Sequence, residues 1–269
     1  MSFSITGKTA IVTGAANGVG LAIAKQFVDK GANVMFTDKD EQNLEAEVGK
    51  AREESDNARY YAGDLRERLT QANLLSATID AFDRVDILIN ASRQIAVSDP
   101  LDADGDHVEA MMQQNMMTSL RMTQLIAKRM IKQAEEDGND EEEAGAIVNL
   151  SSIAASQTHS QLLGYSIAAA ALDQLTRSMA VALAPNRIRV NSVAFGSVMS
   201  ASLKDVLKDN RELRGEILDC TPMSRIAKPA EVADAVQYLA SPGAGFVTGQ
   251  IITIDGGRTL LDPVTLPAH

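Results

Sequence analysis

A glycine-rich turn near the beginning of the chain is the first segment whose residue types and spacing suggest chemistry. The turn contains three glycines, Gly14, Gly18 and Gly20, and two further candidate contacts, Asn17 and Val19. It follows an apolar, β-branched run over 9–13 and precedes an amphipathic stretch over 21–30. Residues without side chains let the backbone approach a phosphate, and a helix N-terminus attracts negative charge. The turn therefore predicts a pyrophosphate site.

An acidic residue follows the next apolar run and predicts a second contact to the same ligand. This run covers 33–36, and Asp38 comes shortly after it. A carboxylate there would accept hydrogen bonds from the adenosine ribose and repel the extra phosphate of NADP. Because Asn17 is uncharged and Lys39 is the only nearby cation in sequence, the pattern favours NAD as the cofactor. The alternative is that Asp38 caps the helix predicted to begin near Asp40.

The elements that would position these residues alternate between strands and helices. Short apolar runs predict seven strands, over 9–13, 33–36, 59–61, 86–89, 146–150, 188–193 and 251–254. Amphipathic stretches predict helices over 21–30, 41–54, 108–133, 162–183 and 229–239. This alternation predicts a single α/β domain over 1–269, with a Rossmann-type, doubly wound parallel sheet of seven strands and helices on both faces.

Two segments interrupt the alternation. The stretch over 134–144 is rich in acidic residues and predicts a solvated surface insertion rather than a binding site. The stretch over 199–220 is amphipathic and follows the sixth predicted strand. A mobile cover over a substrate cleft is expected at that position.

Composition limits the possible partners and compartments. The formal charge of -11 disfavours nucleic acid and anionic membrane surfaces. One cysteine excludes an internal disulfide, and the three histidines lack the spacing of a metal site, so no metal is expected. The chain lacks a charged leader before an apolar run and has no stretch of roughly 20 apolar residues. A cytoplasmic protein is expected.

Several further motifs occur in the order and spacing typical of short-chain dehydrogenases/reductases, and the chain resembles that family along nearly its whole length. Residues 13–20 match its TGxxxGxG turn, and Asn90 matches the first residue of its NNAG motif. Residues 222–231 and 248–257 reproduce its C-terminal signature. The resemblance adds six residues to the expected cofactor contacts: Asp64, Leu65, Asn90, Ala91, Val198 and Ser200.

The resemblance also implies an activity, the interconversion of a small-molecule carbonyl and a secondary alcohol by hydride transfer with a nicotinamide cofactor. Ser152 matches the serine that polarises the carbonyl oxygen, and Tyr165 matches the tyrosine that exchanges a proton with it. Asn115 falls where the family has a structural and proton-relay asparagine. A homotetramer assembled through the predicted helices over 108–133 and 162–183 is implied as well.

The sequence departs from the family at the tyrosine motif YxxxK, where Ala169 replaces the lysine. A residue four positions after Tyr165 lies on the same helix face, so a lysine there favours the phenolate and anchors the cofactor ribose. Ala169 can do neither. The substitution predicts that alcohol oxidation suffers more than carbonyl reduction. The alternative function is a catalytically impaired NAD-binding protein that acts as a nucleotide-responsive or structural subunit.

Three further residues near the expected substrate site depart from the family pattern or stand out within it. Arg93 replaces the glycine of NNAG, and three interpretations are open: it points to solvent, which we favour here, it fills the pocket, or it replaces the lost positive charge. A guanidinium could also bind a substrate carboxylate or phosphate. Phe195 replaces a proline expected beside the nicotinamide. His159 is expected on the substrate loop, as a surface residue in preference to a compensating acid or base.

Overall fold

Seven parallel strands form one sheet in the computed structural model, which describes residues 2–54, 56–138 and 142–262. The order across the sheet is β3-β2-β1-β4-β5-β6-β7. The strands are β1 (Thr9–Thr13), β2 (Asn33–Asp38), β3 (Ala58–Ala62), β4 (Ile87–Asn90), β5 (Gly145–Ser152), β6 (Ile188–Phe195) and β7 (Ile251–Ile254). The predicted doubly wound α/β fold is confirmed.

The helices connect successive strands. They are α1 (Gly18–Asp29), α2 (Glu41–Glu54), α3 (Arg68–Phe82), α4 (Val108–Met111), α5 (Thr118–Asp137), α6 (Leu163–Leu183), α7 (Ala201–Asp209), α8 (Arg211–Asp219) and α9 (Pro229–Ala240). The strand order changes direction between β1 and β4. In open parallel sheets a ligand crevice forms at such a switch point, beyond the carboxyl ends of the strands.

The hydrophobic core has one layer on each face of the sheet. Successive side chains of a strand point to opposite faces, and neighbours in β1 illustrate this. Val12 packs in the cluster that includes Phe27 of α1, whereas Ile11 packs in the cluster that includes Met122 of α5. Because both faces are covered, the central strands are apolar along their length and do not alternate with polar residues.

Helix α3 was not among the predicted helices, and its composition explains why. Its buried positions are Gln71, Leu74 and Thr78, so polar side chains occupy part of its inner face. The Gln71 side chain donates a hydrogen bond to the Leu65 carbonyl at 2.6 Å, and Thr78 donates to the Leu74 carbonyl at 2.8 Å. A pattern search for an apolar stripe misses a helix that buries hydrogen-bonded polar groups.

The helix predicted over 108–133 is interrupted, and it extends further than predicted. A π-helical segment, Met112–Met117, separates α4 from α5. Helix α5 continues to Asp137 and ends at Gly138, whose φ of 62° is left-handed. The prediction of an insertion beginning at 134 was therefore wrong for its first four residues, because acidic side chains on an exposed helix turn are as well solvated as in a loop. Residues 139–141 lie outside the described residues.

The segment predicted as a cover over 199–220 contains α7 and α8. The Ser200 hydroxyl accepts a hydrogen bond from the Leu203 amide at 3.2 Å and caps α7. The Asn210 side chain accepts one from the Leu213 amide at 3.1 Å and caps α8. Both helices follow the carboxyl end of β6, the position expected for a cover, and the movement of this segment stays a prediction.

One described segment, Leu163–Asn186, is long and apolar enough to cross a membrane by length and composition alone. It includes α6, which packs against β5 and β6 in the sheet core. Core helices of globular proteins share this composition, so the segment is weak evidence for a membrane span.

Candidate cofactor groove and active site

The glycine turn lies between the end of β1 and the start of α1. Gly14 and Gly18 have left-handed φ values of 67° and 60°. A Cβ atom on Gly14 would lie 2.9 Å from the backbone of Ala91, so the turn packs directly against the residue that follows β4. The first amides of α1 have no partner within the helix and are available to a ligand.

Gly20 sets the distance between the turn and α1. A Cβ atom there would lie 2.1 Å from the Gly14 carbonyl oxygen, closer than real Cβ contacts allow. Only glycine lets the helix meet the turn at this distance, and the backbone amides can therefore face the groove.

A groove of about 410 Å³ runs from this turn along the carboxyl ends of the strands. Most of the predicted cofactor and substrate residues line it: Gly14, Asn17, Gly18, Val19, Gly20, Asp38, Asp64, Leu65, Ala91, Arg93, Phe195 and Ser200. The structure brings these residues, from six separate chain segments, to one surface. Their contacts to a cofactor stay predictions.

Other lining residues were not predicted: Lys39, Gly63, Arg66, Ser92, Gln94, Ile95, Gln114 and Leu150. Most directly precede or follow a predicted site residue in sequence, and that adjacency is the signal that would have found them. Arg66, two residues after Asp64, is the most informative because it adds a cation to the groove.

Asp38 braces the turn from the end of β2. Its carboxylate accepts hydrogen bonds from the amides of Ala16 at 3.3 Å, Lys39 at 2.8 Å and Asp40 at 3.2 Å. Helix α2 is capped by Asp40, whose carboxylate accepts from the Asn43 amide at 3.2 Å. The helix-capping role considered for Asp38 therefore belongs to Asp40.

Asp64 pairs with a cation inside the groove. The Arg66 guanidinium donates to both carboxylate oxygens of Asp64, and Nε lies 2.9 Å from Oδ2 and 3.0 Å from Oδ1. These hydrogen bonds hold the pKa of Asp64 below its usual value, although partial burial opposes the shift. The carboxylate predicted to contact adenine is thus held ionised, and the adjacent guanidinium plane is half exposed.

The Asn90 side chain has a structural role, and the predicted contact of Asn90 to the cofactor stays a prediction. It is 3% exposed and is absent from the lining of the groove. Its amide donates to Asn149 at 2.8 Å and to Thr123 at 3.2 Å, and Asn149 donates in turn to Thr176 at 2.8 Å. The side chain is committed to a buried network that ties β4 and β5 to α5 and α6.

Val198 also lies outside the groove lining, although its neighbour Ser200 is part of it. Val198 is 6% exposed and forms a parallel bridge with Ala227. Its side chain packs in the core cluster of the α1 face. The Val198 side chain therefore supports the segment from beneath, and the predicted contact of Val198 to the cofactor stays a prediction.

Asn115 lies in the π-helical segment and holds the loop that follows β4. Its side chain accepts a hydrogen bond from the Gln94 amide at 2.8 Å and donates one to the Gln94 carbonyl at 2.9 Å. Single π-helical turns often occur at functional sites because they redirect a side chain. Here the redirected amide fixes the residue next to Arg93.

Ser152 and Tyr165 are buried near the carboxyl end of β5. Ser152 is the last residue of β5, and its hydroxyl accepts a hydrogen bond from the Ala154 amide at 3.2 Å. Tyr165 lies in the first turn of α6, with 5% of its surface exposed. Neither residue is among those that line the groove.

Arg93 connects the groove to Tyr165. Its Nη1 donates a hydrogen bond to the Tyr165 hydroxyl at 2.9 Å, and its guanidinium lies 4.2 Å from the ring centroid of Phe195. The favoured interpretation, in which Arg93 points to solvent, was therefore wrong. The stacking on Phe195 and the hydrogen bond outweigh hydration of the half-buried guanidinium. Ala169 is buried one turn after Tyr165.

His159 is exposed on the loop before α6. Its Nδ1 accepts a hydrogen bond from the Gln161 amide at 3.2 Å. The expectation of a surface histidine is confirmed, and its proximity to a substrate stays a prediction.

The C-terminal motif stabilises the entry to α9. Arg225 donates two hydrogen bonds to Glu231, at 2.7 and 2.6 Å, and Glu231 also accepts from the Lys228 amide at 2.8 Å. The Arg225 hydrogen bond is the main cause that lowers the pKa of Glu231 to about 2. Glu231 thus supplies the acceptor for the backbone amide of Lys228, the N-cap residue of α9.

The doubly wound sheet, the glycine turn after β1 and the groove at the switch point define a protein of the Rossmann-like class. A family model described as enoyl-(acyl carrier protein) reductase matches residues 14–259. An uncharacterized oxidoreductase of Mycobacterium tuberculosis is 31% identical over 257 residues, which cover 96% of this chain and 94% of that protein. The chain belongs to the short-chain dehydrogenase/reductase family.

Two further comparisons agree with this membership. The 7α-hydroxysteroid dehydrogenase of Escherichia coli K12 is 30% identical over 253 residues, 94% of each chain. A solved structure of 7α-hydroxysteroid dehydrogenase complexed with NADH and 7-oxo glycochenodeoxycholic acid matches with a TM-score of 0.87 at 29% identity, covering 95% of this chain and 96% of that one.

Proposed function

We propose that this chain is an NAD-dependent oxidoreductase that interconverts a carbonyl and a secondary alcohol by hydride transfer. The observation that carries the proposal is the course of the groove. It begins at the glycine turn and Asp38 and ends at Arg93, whose guanidinium contacts the Tyr165 hydroxyl. A cofactor laid along this groove would direct its reactive end toward Ser152 and Tyr165.

The residues of the groove fit a dinucleotide. Side chains at Gly14 and Gly20 would collide with the backbone of Ala91 and of Gly14, so glycine at both positions keeps the turn in the compact form that a pyrophosphate can approach. Asp38 offers a carboxylate to the adenosine ribose, and its negative charge opposes a 2′-phosphate. When bound, the nicotinamide would supply or accept the hydride. The cations Lys39 and Arg66 also line the groove, and the Arg66 guanidinium is paired with Asp64.

The protein groups assigned to catalysis are Ser152 and Tyr165. Ser152 would donate a hydrogen bond to the carbonyl oxygen and polarise it. The Tyr165 oxygen accepts the hydrogen bond from Arg93. Its own O–H is therefore free to donate a proton to the substrate oxygen. Asn115 supports this arrangement by holding Gln94, the residue after Arg93.

The proposal extends to assembly and location. The surface of α6 exposes Ile167 and Val181, and apolar exposure of this kind favours helix contacts between copies of the chain. A homotetramer joined through α5 and α6, active in the cytoplasm, is the arrangement we propose.

The test is NADH oxidation with a panel of ketones and aldehydes that includes a 7-oxo bile acid. Turnover is expected for the native chain, with a fall of about 10²- to 10⁴-fold in Tyr165→Phe. Tyr60→Phe is the matched control because Tyr60 lies on β3 and is partly exposed. Native turnover that survives Tyr165→Phe would refute the proton-transfer role.

A second function, an impaired NAD-binding subunit, is favoured by one observation. The groove lining includes Arg93 and Phe195 and excludes Ser152 and Tyr165, so the stacked pair stands between the groove and the two hydroxyls. Tight NADH binding together with no turnover of any carbonyl would support this second function.

A further inference from the structure

We infer that Arg93 supplies to Tyr165 the positive charge that the family's tyrosine motif takes from a lysine. This inference rests on the proposed function. It assigns the positive charge to a residue that does not lie on α6, the helix that carries Tyr165. In the sequence that charge is missing at Ala169, on α6. In the structure a cation reaches the same hydroxyl from the loop after β4, through the 2.9 Å contact of Nη1.

Two contacts hold the Arg93 guanidinium in place: its hydrogen bond to the Tyr165 hydroxyl and the ring of Phe195. Phe195, at the end of β6, presents its ring 4.2 Å below the guanidinium carbon. An aromatic face attracts a cation without neutralising it. Within the described ranges, no carboxylate forms an ion pair with Arg93. The positive charge is therefore available to the Tyr165 hydroxyl, to which Nη1 donates its hydrogen bond.

The three departures from the family pattern thus act together to move the positive charge from α6 to the loop after β4. Ala169 removes the charge from α6, Arg93 restores it from the loop after β4, and Phe195 supplies the surface on which the new side chain rests. An arginine can stand at position 93, where the family has glycine, because the residue is only partly buried and lines the groove. Each change alone would weaken the site, whereas the three together conserve its charge.

This arrangement accounts for a complete proton step. During reduction the Tyr165 O–H bond would break and its proton would pass to the substrate oxygen, while a nicotinamide cofactor, when bound, would supply the hydride to the carbon. The phenolate left behind faces the Arg93 guanidinium, which stays protonated throughout. The opposite charge, 2.9 Å from the phenol oxygen, would stabilise the phenolate formed in this step.

The experiment removes the positive charge at position 93 and restores one at position 169. Four variants are compared with the native chain in NADH-dependent carbonyl reduction: Arg93→Lys, Arg93→Gln, Arg93→Gly and the double variant Arg93→Gly with Ala169→Lys. Arg93→Gln keeps a hydrogen-bond donor and removes the charge, so we expect kcat to fall about 10²-fold. Arg93→Lys should retain more activity than Arg93→Gln. The double variant should recover at least about tenfold over Arg93→Gly.

Substrate KM and the NADH Kd, measured by the fluorescence of bound NADH, separate this role from a general loss of structure. Both are expected to stay within about threefold of native in Arg93→Gln, since the charge acts on the proton step. Thermal melting confirms that each variant is folded.

Four results would overturn the inference: unchanged kcat in Arg93→Gln, higher kcat in Arg93→Gly, a loss confined to substrates that carry a carboxylate, or no recovery in a folded double variant. Higher kcat in Arg93→Gly would show that Arg93 blocks the pocket, and a loss confined to carboxylate substrates would show that Arg93 binds the substrate. Native turnover that is lost in Tyr165→Phe but kept in Arg93→Gln would refute this inference alone. A native chain without turnover of any carbonyl would refute the proposed function as well.

Discussion

Replacement of Gly20 by alanine tests the glycine turn more sharply than any other single change. The added Cβ would lie 2.1 Å from the Gly14 carbonyl oxygen, and real Cβ contacts are essentially never below 3.0 Å. The turn must therefore open by about 0.9 Å, the difference between these two distances. Backbone carries the obstructing atom, so no side-chain rotation relieves the contact.

Overpacking of this kind costs about 1–3 kcal/mol. If the opened turn must close to hold a pyrophosphate, that strain appears in cofactor binding and raises the NADH Kd about 5- to 150-fold. If the turn stays closed, the strain appears in folding instead and lowers Tm by about 2–12 °C. NADH fluorescence titration and thermal melting, performed on the same preparation, measure both quantities.

Gly49→Ala is the matched control for this substitution. Gly49 lies in α2, and a Cβ there meets no atom within 4 Å. Alanine in a helix interior is favoured over glycine by about 0.5–1 kcal/mol, so this variant should melt slightly higher and bind NADH as the native chain does. A Gly20→Ala protein that matches Gly49→Ala in both Kd and Tm would refute the close-approach role.

Three further variants test other parts of the account. Asp38→Asn keeps a hydrogen-bond acceptor and removes the negative charge. The ratio of NADP affinity to NAD affinity, measured in parallel titrations, should therefore rise at least about tenfold. An unchanged ratio would exclude a contact between Asp38 and the adenosine ribose. Asn90→Ala leaves Oδ1 of Asn149 without its 2.8 Å donor and should lower the free energy of unfolding in urea by about 1–3 kcal/mol, with the NADH Kd unchanged. A change in Kd without a change in stability would show that Asn90 acts at the cofactor and not in the buried network. Glu231→Gln should melt at a lower Tm than the native chain, with the full difference above pH 4.5 and no difference as the pH falls toward 2. The reason is that the carboxyl protonates near 4.5 in the unfolded chain and near its lowered pKa of about 2 in the folded one. A Tm difference that is constant between pH 2 and 4.5 would contradict the Arg225 pairing.

The sequence predicts those parts of the molecule that depend on local pattern. The strands over 9–13 and 251–254 match β1 and β7 in full, because β-branched apolar runs bounded by turns have few alternatives. Helix α3 escaped detection because Gln71 and Thr78 occupy its buried face. Polar groups can be buried there only through hydrogen bonds that form in the folded chain.

The candidate site divides in the same way. The glycine turn and Asp38 were identifiable because each lies next to a strand end, and their chain neighbours largely determine their geometry. The direction of Arg93 was predicted incorrectly, since its partner Tyr165 is 72 residues away and the Phe195 ring comes from a third segment. A long side chain has many rotamers, and only the folded arrangement selects among them.

The most direct test of the central claim follows the hydride itself. NADH deuterated at the transferring position of the nicotinamide is mixed with the native chain and the carbonyl panel, and products are analysed by mass spectrometry. The account predicts an alcohol with one deuterium on the former carbonyl carbon, formed by the native chain and lost in Tyr165→Phe. Binding of the deuterated NADH without deuterium in any product would contradict it.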